Sequence, residues 1–266
     1  SRSALLGWAR RKMTRRASPR CPSRRNRSRG VVVRREPAQF RSAEALRCLS
    51  AEIGLVTPTM ATIALIGNKG GAGKSTLSVN LASALNRRAK TIILDADPQR
   101  SVLQWSAMGD GAVVAVIDAV ADLPGTLAAH ADAFAHRIID CPPSVEAPQT
   151  RTALRLVDLA LIPVQPSPLD IWATVHIERE VEAAREQNAG LRALLVINQL
   201  EPRTRLSKMM RQALSELSIP AAETAVRRRM AFRMSALEGR SVFDFGSRGR
   251  DAGAEIQQLI EEVMAI

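Results

Sequence analysis

The sequence predicts an α/β fold in which a doubly wound, mostly parallel sheet carries helices on both faces. The first observation is a series of short, continuous apolar runs, which are typical of parallel strands buried on both faces. The second is that stretches with helical periodicity separate these runs, in the alternation expected of βαβ units. With 266 residues, of which 46% are hydrophobic, the chain is long enough for one such core.

The strands and helices follow from these patterns in chain order. The predicted strands are TIALIGN at 62–68, TIILDAD at 91–97, AVVAVI at 112–117, HRIIDC at 136–141, LALIPV at 159–164 and LRALLVIN at 191–198. A helix is predicted at 74–88, because Leu77, Leu81 and Leu85 form one apolar stripe. A longer amphipathic helix is predicted at 169–188. Ligands of such sheets bind at the carboxyl ends of the strands, so the loops that follow the strands hold the candidate site.

The excess positive charge is confined to the first 59 residues. The chain has a formal net charge of +12, yet residues 60–266 hold 23 basic and 23 acidic residues, whereas residues 1–59 hold 15 basic and three acidic ones. Arginine, serine and proline dominate this extension, so it is predicted to be disordered to about residue 40, with room for one short helix at 41–53. The sequence therefore predicts a basic extension at 1–59, followed by one domain at 60–266.

Three interpretations of the extension remain open. It could be a basic arm that binds nucleic acid or an anionic surface. It could also be an organelle transit peptide, since it is rich in arginine and serine and poor in acids. We favour the third interpretation, in which translation begins at Met60, directly before the first predicted strand. The N-terminus of the native protein would distinguish them.

A glycine-rich loop gives the strongest functional signal in the chain. The segment GNKGGAGKST follows a predicted strand and opens a helix, and its Gly67, Gly73, Lys74 and Ser75 fit the phosphate-loop template. In such a loop, glycines let backbone N–H groups cradle phosphate oxygens, and the helix N-terminus adds its positive end. The template assigns Lys74 to the β- and γ-phosphates and the Ser75 hydroxyl to Mg²⁺. A second lysine, Lys69, has no place in this template.

With its additional Lys69, the segment KGGAGKST resembles the deviant Walker A motif of the ParA/MinD family of ATPases, so a phosphate-loop NTPase fold is expected. In that family the additional lysine reaches across a nucleotide-sandwich dimer to the phosphates of the partner. The resemblance implies that ATP and Mg²⁺ are bound, that ATP assembles a homodimer, and that Lys69 and Lys74 act in catalysis. The nucleotide-binding residues that it implies in this loop are Gly70, Gly71, Ala72, Gly73, Lys74, Ser75 and Thr76.

The resemblance extends over residues 60–266 and assigns further residues. In DADPQRS, the aspartate before Pro-Gln is Asp97, which in the family faces the attacking water. Asp95, in the same segment, is expected to support the strand end and the magnesium shell. IIDCPPS resembles the Walker B segment, in which Asp140 holds Mg²⁺ through water. Asn198, at the end of a predicted strand, matches the position that contacts adenine in relatives.

Within the family, the chain resembles the small ParA-type ATPases without a helix-turn-helix domain, which position a cargo on nucleoid DNA together with a ParB-like or other cargo-adaptor protein. Phosphoryl transfer needs positioning and charge stabilisation rather than covalent chemistry from the protein. No arginine finger or glutamine stands at a recognisable spacing, so slow intrinsic hydrolysis, stimulated by a partner, is expected. The cargo could be a plasmid, a chromosome region or a carboxysome, and the sequence does not distinguish them. A cytoplasmic, nucleoid-associated protein is expected.

A local excess of positive charge in the C-terminal part of the chain favours DNA binding. Residues 203–250 contain 11 basic and four acidic residues, although residues 60–266 as a whole are neutral. Such clusters give sequence-independent, salt-sensitive contacts to phosphates. The predicted DNA-binding residues are Arg203, Arg205, Lys208 and Arg211 on one helix, with Arg227, Arg228, Arg229 and Arg233 nearby.

The alternative function is that of a membrane-associated positioning ATPase similar to MinD. No apolar run of roughly 18 residues occurs, so no membrane span is expected. The C-terminal segment GAEIQQLIEEVMAI has an apolar stripe at Ile256, Leu259, Ile260 and Val263, but its polar face carries acidic rather than basic residues. We therefore expect a terminal helix that packs on the core, and no membrane contact.

Overall fold

Six parallel strands form one sheet in the part of the chain that the computed structural model describes, residues 60–109, 114–201 and 205–266. The predicted extension at 1–59, with its short helix, lies outside these residues. The strands are β1 (Ala61–Leu65), β2 (Thr91–Asp95), β3 (Ala115–Asp118), β4 (His136–Asp140), β5 (Leu159–Val164) and β6 (Arg192–Ile197). They lie in the order β3-β2-β4-β1-β5-β6, and each neighbouring pair is parallel.

Helices connect these strands and cover both faces of the sheet. They are α1 (Lys74–Asn86), α2 (Ser101–Met108), α3 (Leu123–Ala129), α4 (Pro148–Leu156), α5 (Pro168–Arg185), α6 (Arg205–Leu214), α7 (Met230–Glu238) and α8 (Arg250–Ala265), with a 3₁₀ segment at Val242–Gly249. One buried apolar layer includes Leu77 of α1 and Ile256 of α8. The other layer includes Leu154 of α4 and Val181 of α5. The prediction of a doubly wound α/β fold is therefore confirmed.

The burial of each strand depends on its place in the sheet. All residues of β2, β4 and β5 are buried, which agrees with the apolar residues at their centres. Strand β3 lies at one edge, and its residues are half-buried or exposed. The predicted strand at 112–117 is displaced, since β3 begins at Ala115 and residues 110–113 lie outside the description.

The carboxyl ends of the central strands bring the candidate loops to one edge of the sheet. Strand β1 ends at Leu65, earlier than the predicted run at 62–68, and the chain then turns into the glycine-rich loop. In the sheet register, Leu65 lies beside Asp140, and Asp140 lies beside Asp95. The loops that follow β1, β2 and β4 therefore start next to one another, as the sequence predicted for the site.

The C-terminal helix packs on the core. Ile256, Leu259, Ile260 and Val263 are all buried, so the prediction for α8 is confirmed. Glu255, which the sequence placed on the polar face, is also buried, and it accepts hydrogen bonds from Arg229. Among the helices that the structure describes, none is both long enough and apolar enough for a membrane span.

Candidate functional site

The loop between β1 and α1 has the backbone of a phosphate cradle. Gly71 and Gly73 have φ angles of 80° and 92°, in the left-handed region that other residues disfavour. A Cβ atom added at Gly70 or Gly71 would meet no atom within 4 Å, so the loop borders open space at both positions. Backbone N–H groups in such a loop, together with a helix N-terminus, favour an anion. The loop therefore fits a phosphate group.

Asn68, rather than Gly67, stands at the first position of the phosphate-loop template. Five residues separate Gly67 from Gly73, one more than the template allows, so the assignment of Gly67 was wrong by one position. The Asn68 side chain connects the loop to two other segments. Its Oδ1 accepts a hydrogen bond from the Val145 amide at 3.0 Å, and its Nδ2 donates to the Ala173 carbonyl at 3.4 Å.

Three amide side chains donate to carbonyl groups of the same loop. Gln165 Nε2 and Gln199 Nε2 donate to the Gly71 carbonyl, at 2.7 and 2.9 Å. Asn198 Nδ2 donates to the Ala72 carbonyl at 2.7 Å. These bonds satisfy the carbonyl groups within the protein and leave backbone N–H groups for a ligand. The residues after β5 and β6 thus fix the shape of the phosphate cradle.

Lys74 is a buried cation at the start of α1. Its side chain is 7% exposed, and Nζ donates to the Lys69 carbonyl at 3.0 Å. Burial lowers the pKa of Lys74, while the nearby carboxylates of Asp140 and Asp97 act in the opposite direction. The structure therefore brings together Lys74, Asp97 and Asp140, which the sequence assigned to the site. The hydrogen bond to the Lys69 carbonyl positions the Lys74 ammonium.

Ser75 and Asp140 bring a hydroxyl and a carboxylate together at the start of α1. Ser75 Oγ donates to Asp140 Oδ2 at 2.7 Å, and Ser78 Oγ donates to Asp140 Oδ1 at 2.8 Å. Burial raises the pKa of Asp140 to about 7, although both hydroxyl groups lower it. A divalent cation beside this carboxylate would favour its ionised form. A hydroxyl and a carboxylate are oxygen ligands of the kind that Mg²⁺ prefers, so the two residues fit the ion.

Asp95 accepts hydrogen bonds from three backbone amides after β2. It is fully buried, and its Oδ2 accepts hydrogen bonds from the amides of Val102 and Leu103, both at 3.0 Å. Its Oδ1 accepts from the amide of Asp97 at 3.2 Å. Asp95 therefore supports the strand end and the start of α2, and its role in the magnesium shell stays a prediction. Asp97 itself is 8% exposed and accepts a hydrogen bond from the Gln99 amide.

Lys69 is bound within its own chain. Its Nζ lies 2.6 Å from Asp170 Oδ1, in the first turn of α5. The side chain of Lys69 is 41% exposed, whereas that of Asp170 is 10% exposed. Among the described residues, Asp170 Oδ2 has no hydrogen-bond partner, so Lys69 supplies much of the compensation for this buried carboxylate. In the single chain, the additional lysine is thus held beside the loop.

A cavity of about 190 Å³ adjoins the phosphate cradle. Gly73 and Thr76 line one side, and Val226 and Phe232 provide apolar surface on another. Asn198 also lines the cavity and is 5% exposed. Because Asn198 Nδ2 already bonds the loop, a contact to adenine would come from its Oδ1. The cavity therefore lies next to the phosphate cradle, and the contact of Asn198 with adenine remains a prediction.

Three arginines of the predicted basic face form ion pairs with acidic residues. Arg227 and Arg229 both pair with Glu255, at 3.6 and 2.8 Å, and Arg228 pairs with Glu201 at 2.8 Å. Both acids lie outside the segment whose charge was counted, so counting charge along the chain overestimated the local excess. The contact of these three arginines with DNA stays a prediction.

The other predicted DNA-binding residues are less closely paired. Arg211 is exposed and donates to the Glu223 carbonyl at 3.2 Å. Arg233 is exposed on α7 and also lines the cavity beside the phosphate cradle. The remaining residues fall outside the description: Arg203 as a whole, and the side chains of Arg205 and Lys208.

The sequence reasoning missed several residues that shape this site. They are Asn68, Ser78, Gln165, Asp170 and Gln199. Two signals could have found them. The glutamines and Asp170 closely follow predicted strands at the edge where the loops gather, and Ser78 lies one helical turn after the loop serine.

The chain resembles known proteins over most of its length. A family model described as the CobQ/CobB/MinD/ParA nucleotide binding domain matches residues 63–242. Maintenance of carboxysome distribution protein A from Halothiobacillus neapolitanus is 37% identical over 213 residues, which cover 76% of this chain and 96% of that protein. The protein of the same name from Gloeobacter kilaueensis is 31% identical over 212 residues, which cover 76% of this chain and 93% of that protein.

Solved structures show the same fold. Apo McdA from Cyanothece has a TM-score of 0.61 at 16% identity, covering 77% of this chain and 99% of that chain. MinD from Pyrococcus horikoshii, solved with Mg-ADP, has a TM-score of 0.59 at 19% identity, covering 76% of this chain and 96% of that chain. Together with the sheet order described above, these likenesses confirm the predicted phosphate-loop α/β fold.

Proposed function

Because the chain belongs to the CobQ/CobB/MinD/ParA nucleotide-binding family, we propose that it is an ATP- and magnesium-dependent ATPase that distributes a cargo within the cell. The carboxysome is the first candidate cargo, since the two relatives above are named for carboxysome distribution. A plasmid or a chromosome region is the next candidate, because a ParA protein of Rhizobium radiobacter is 28% identical over 218 residues.

One observation carries the proposal: two lysines of the same loop lie in different environments. Lys74 is buried beside Asp140 and can serve the nucleotide of its own chain. Lys69 is 41% exposed and pairs with Asp170, so it can exchange that carboxylate for another anion. A loop that binds one nucleotide needs only the first lysine. The second lysine therefore supports an ATP-dependent contact between two chains.

The residues of the cradle define how the nucleotide is held. Gly70 and Gly71 leave space for the phosphates, Lys74 offers its charge to them, and Asn198 lines the nucleoside cavity. Ser75 and Asp140 would hold Mg²⁺, which neutralises phosphate charge when it is bound. Asp97, a nearly buried carboxylate on the neighbouring loop, would orient the attacking water.

Dimerisation couples the nucleotide to the cargo. ATP with Mg²⁺ retains negative charge, and Lys69 of a second chain can neutralise it in the closed site. This contact exists only while the nucleotide is bound, so hydrolysis releases the dimer. The dimer would bind nonspecific DNA of the nucleoid through basic side chains such as Arg211 and Arg233, and a cargo adaptor would stimulate a slow basal hydrolysis.

The test combines three measurements on the purified full chain. We expect slow basal ATP hydrolysis that requires Mg²⁺, a dimer in the presence of a non-hydrolysable ATP analogue, and retention on double-stranded DNA of random sequence that increases with the analogue and falls with salt. Fast basal hydrolysis would contradict the need for an adaptor. DNA binding that is independent of nucleotide or resistant to salt would contradict the proposed binding of the ATP-bound dimer to DNA phosphates.

A membrane-associated function similar to that of MinD has less support. The apolar residues of α8 that could have faced a lipid surface, Ile256, Leu259, Ile260 and Val263, are buried in the core. A terminal helix used in this way is not free to enter a bilayer interface. Co-sedimentation with anionic liposomes in the presence of ATP would overturn this preference.

A further inference from the structure

Helix α5 carries two exposed apolar side chains beside the phosphate cradle. Trp172 is 71% exposed and Val175 is 43% exposed, and their spacing of three residues places them on the same face of the helix. Trp105, in contrast, is buried, and its indole N–H donates to the Arg240 carbonyl. Tryptophan combines a large apolar area with few rotatable bonds, which favours it at interfaces.

The position of Trp172 is fixed relative to the loop. Two residues before it, Asp170 holds the Lys69 ammonium at 2.6 Å. One residue after it, the Ala173 carbonyl accepts a hydrogen bond from Asn68 of the loop at 3.4 Å. Asp170 and Ala173, which lie on either side of Trp172 in the sequence, thus contact residues of the nucleotide-binding loop. A second chain that contacts Lys69 would therefore meet the start of α5, the helix that carries Trp172.

We propose that Trp172 and Val175 are buried against a second copy of this chain when ATP joins two copies. The inference rests on the proposed function, since that function brings Lys69 of one chain to the nucleotide of the other. A stable dimer buries about 800 Å² on each partner and has an apolar centre. A lysine that reaches a phosphate contributes little of that area, so apolar surface beside Lys69 is needed. Trp172 and Val175 supply it at the edge of the same site.

The charges on this face suit a second copy better than a strongly charged partner. Lys69 pairs with Asp170, and Arg151 pairs with Glu180 of the same helix α5 at 2.9 Å. Each of these two cations is thus paired with a carboxylate of α5, whereas DNA would require an excess of cations. A two-fold axis presents the same patch on both chains, so each apolar contact occurs twice in the dimer.

The first test measures whether ATP shields Trp172. The full chain contains three tryptophans, and the spectrum of the Trp172→Phe variant, subtracted from that of the natural chain, isolates the emission of Trp172. With a non-hydrolysable ATP analogue and Mg²⁺, we expect this emission to shift to shorter wavelength and to resist quenching by acrylamide. The change should follow protein concentration in step with the dimer measured by light scattering.

The second test measures the contribution of Trp172 to the dimer. Because a tryptophan at the centre of an interface is a typical hot spot and is present twice, Trp172→Ala should raise the dimer dissociation constant at least about 100-fold. Binding of a fluorescent ATP analogue to the monomer should stay unchanged. Leu237→Ala is the matched control, since Leu237 is also 71% exposed, but on α7, and its replacement should leave the dimer unaffected.

The outcomes separate this inference from the proposed function. If the natural chain dimerises while Trp172 stays exposed, or if Trp172→Ala dimerises normally, the inference is overturned and the proposed function stands. The inference is also overturned if Trp172 is shielded only after DNA or a cargo adaptor is added, because the surface then serves that partner. If the natural chain does not dimerise with the ATP analogue, both are overturned.

Discussion

Replacing Asp170 with asparagine should strengthen the ATP-dependent dimer. In the single chain, Lys69 Nζ lies 2.6 Å from Asp170 Oδ1, and this pair must break before Lys69 can reach the phosphates of a partner. The carboxylate is 10% exposed, but the lysine is 41% exposed, so solvent screens a large part of the Coulomb energy. A net value of about 1–1.5 kcal/mol for each chain lies between those of exposed and buried pairs.

The expected magnitude follows from the symmetry of the dimer. Two such pairs break when two chains associate, which together costs about 2–3 kcal/mol. Without this cost, the Asp170→Asn dimer should dissociate with a constant about 30- to 150-fold lower than that of the natural chain. Sedimentation equilibrium with a non-hydrolysable ATP analogue and Mg²⁺ would measure both constants. Without nucleotide, both chains should be monomeric.

A control on the same helix separates this effect from a general loss of charge. Glu180 of α5 pairs with Arg151 at 2.9 Å, away from the loop lysine, so Glu180→Gln should leave the dimer constant unchanged. An acidic residue in the first turn of a helix stabilises it by about 0.3–1 kcal/mol, so Asp170→Asn should lower the stability of the chain by this amount. A thermal melt would measure this loss. A dimer of Asp170→Asn that is as weak as that of the natural chain, or weaker, would refute the restraining role of the ion pair.

Two further predictions concern the cradle itself. Burial raises the pKa of Asp140 to about 7, and a metal ion needs its ionised form, so the magnesium-dependent part of nucleotide affinity should fall below pH 7, by up to about tenfold for each pH unit. Titrations of a fluorescent nucleotide with and without Mg²⁺ would show this step, and its persistence in Asp140→Asn would contradict the assignment. Gly73→Ala should destabilise the fold by about 2–3 kcal/mol, because Gly73 has a φ of 92° and an added Cβ would overlap Asn198 Nδ2. Gly70→Ala meets open space, so chemical denaturation should show nearly natural stability while nucleotide binding is lost; equal stabilities for the two variants would refute this reading of the loop.

The fold could be predicted from short sequence patterns, because the burial of a strand or of one helix face determines which nearby residues are apolar. The central strands β2, β4 and β5 are buried on both faces, so each contains a short apolar run in the sequence, which is longest in β5. Strand β3 was less accurately located, since its residues are only partly buried and the apolar run at 112–117 does not mark its bounds. The stripe of α8 was predicted correctly, because its burial depends on helical periodicity alone.

Long-range contacts set the limit of prediction for the site. Lys74, Ser75 and Asp140 follow from motifs, since a phosphate loop and a strand end constrain them locally. The pairing of Lys69 with Asp170 joins residues about 100 positions apart, and no local pattern specifies it. The same reason applies to the arginines near α7. Their partner Glu255 lies on α8, so the charge of a sequence window does not describe their environment.

The most direct measurement compares the oligomeric state of the natural chain and of Lys69→Ala at matched concentrations with a non-hydrolysable ATP analogue and Mg²⁺. We predict that the natural chain forms a dimer, and that Lys69→Ala stays monomeric while it still binds the analogue. Lys74→Ala serves as the control, because the loss of this buried cation should abolish both binding and dimerisation. A Lys69→Ala chain that dimerises as strongly as the natural one would contradict the claim that the second lysine joins two chains through ATP.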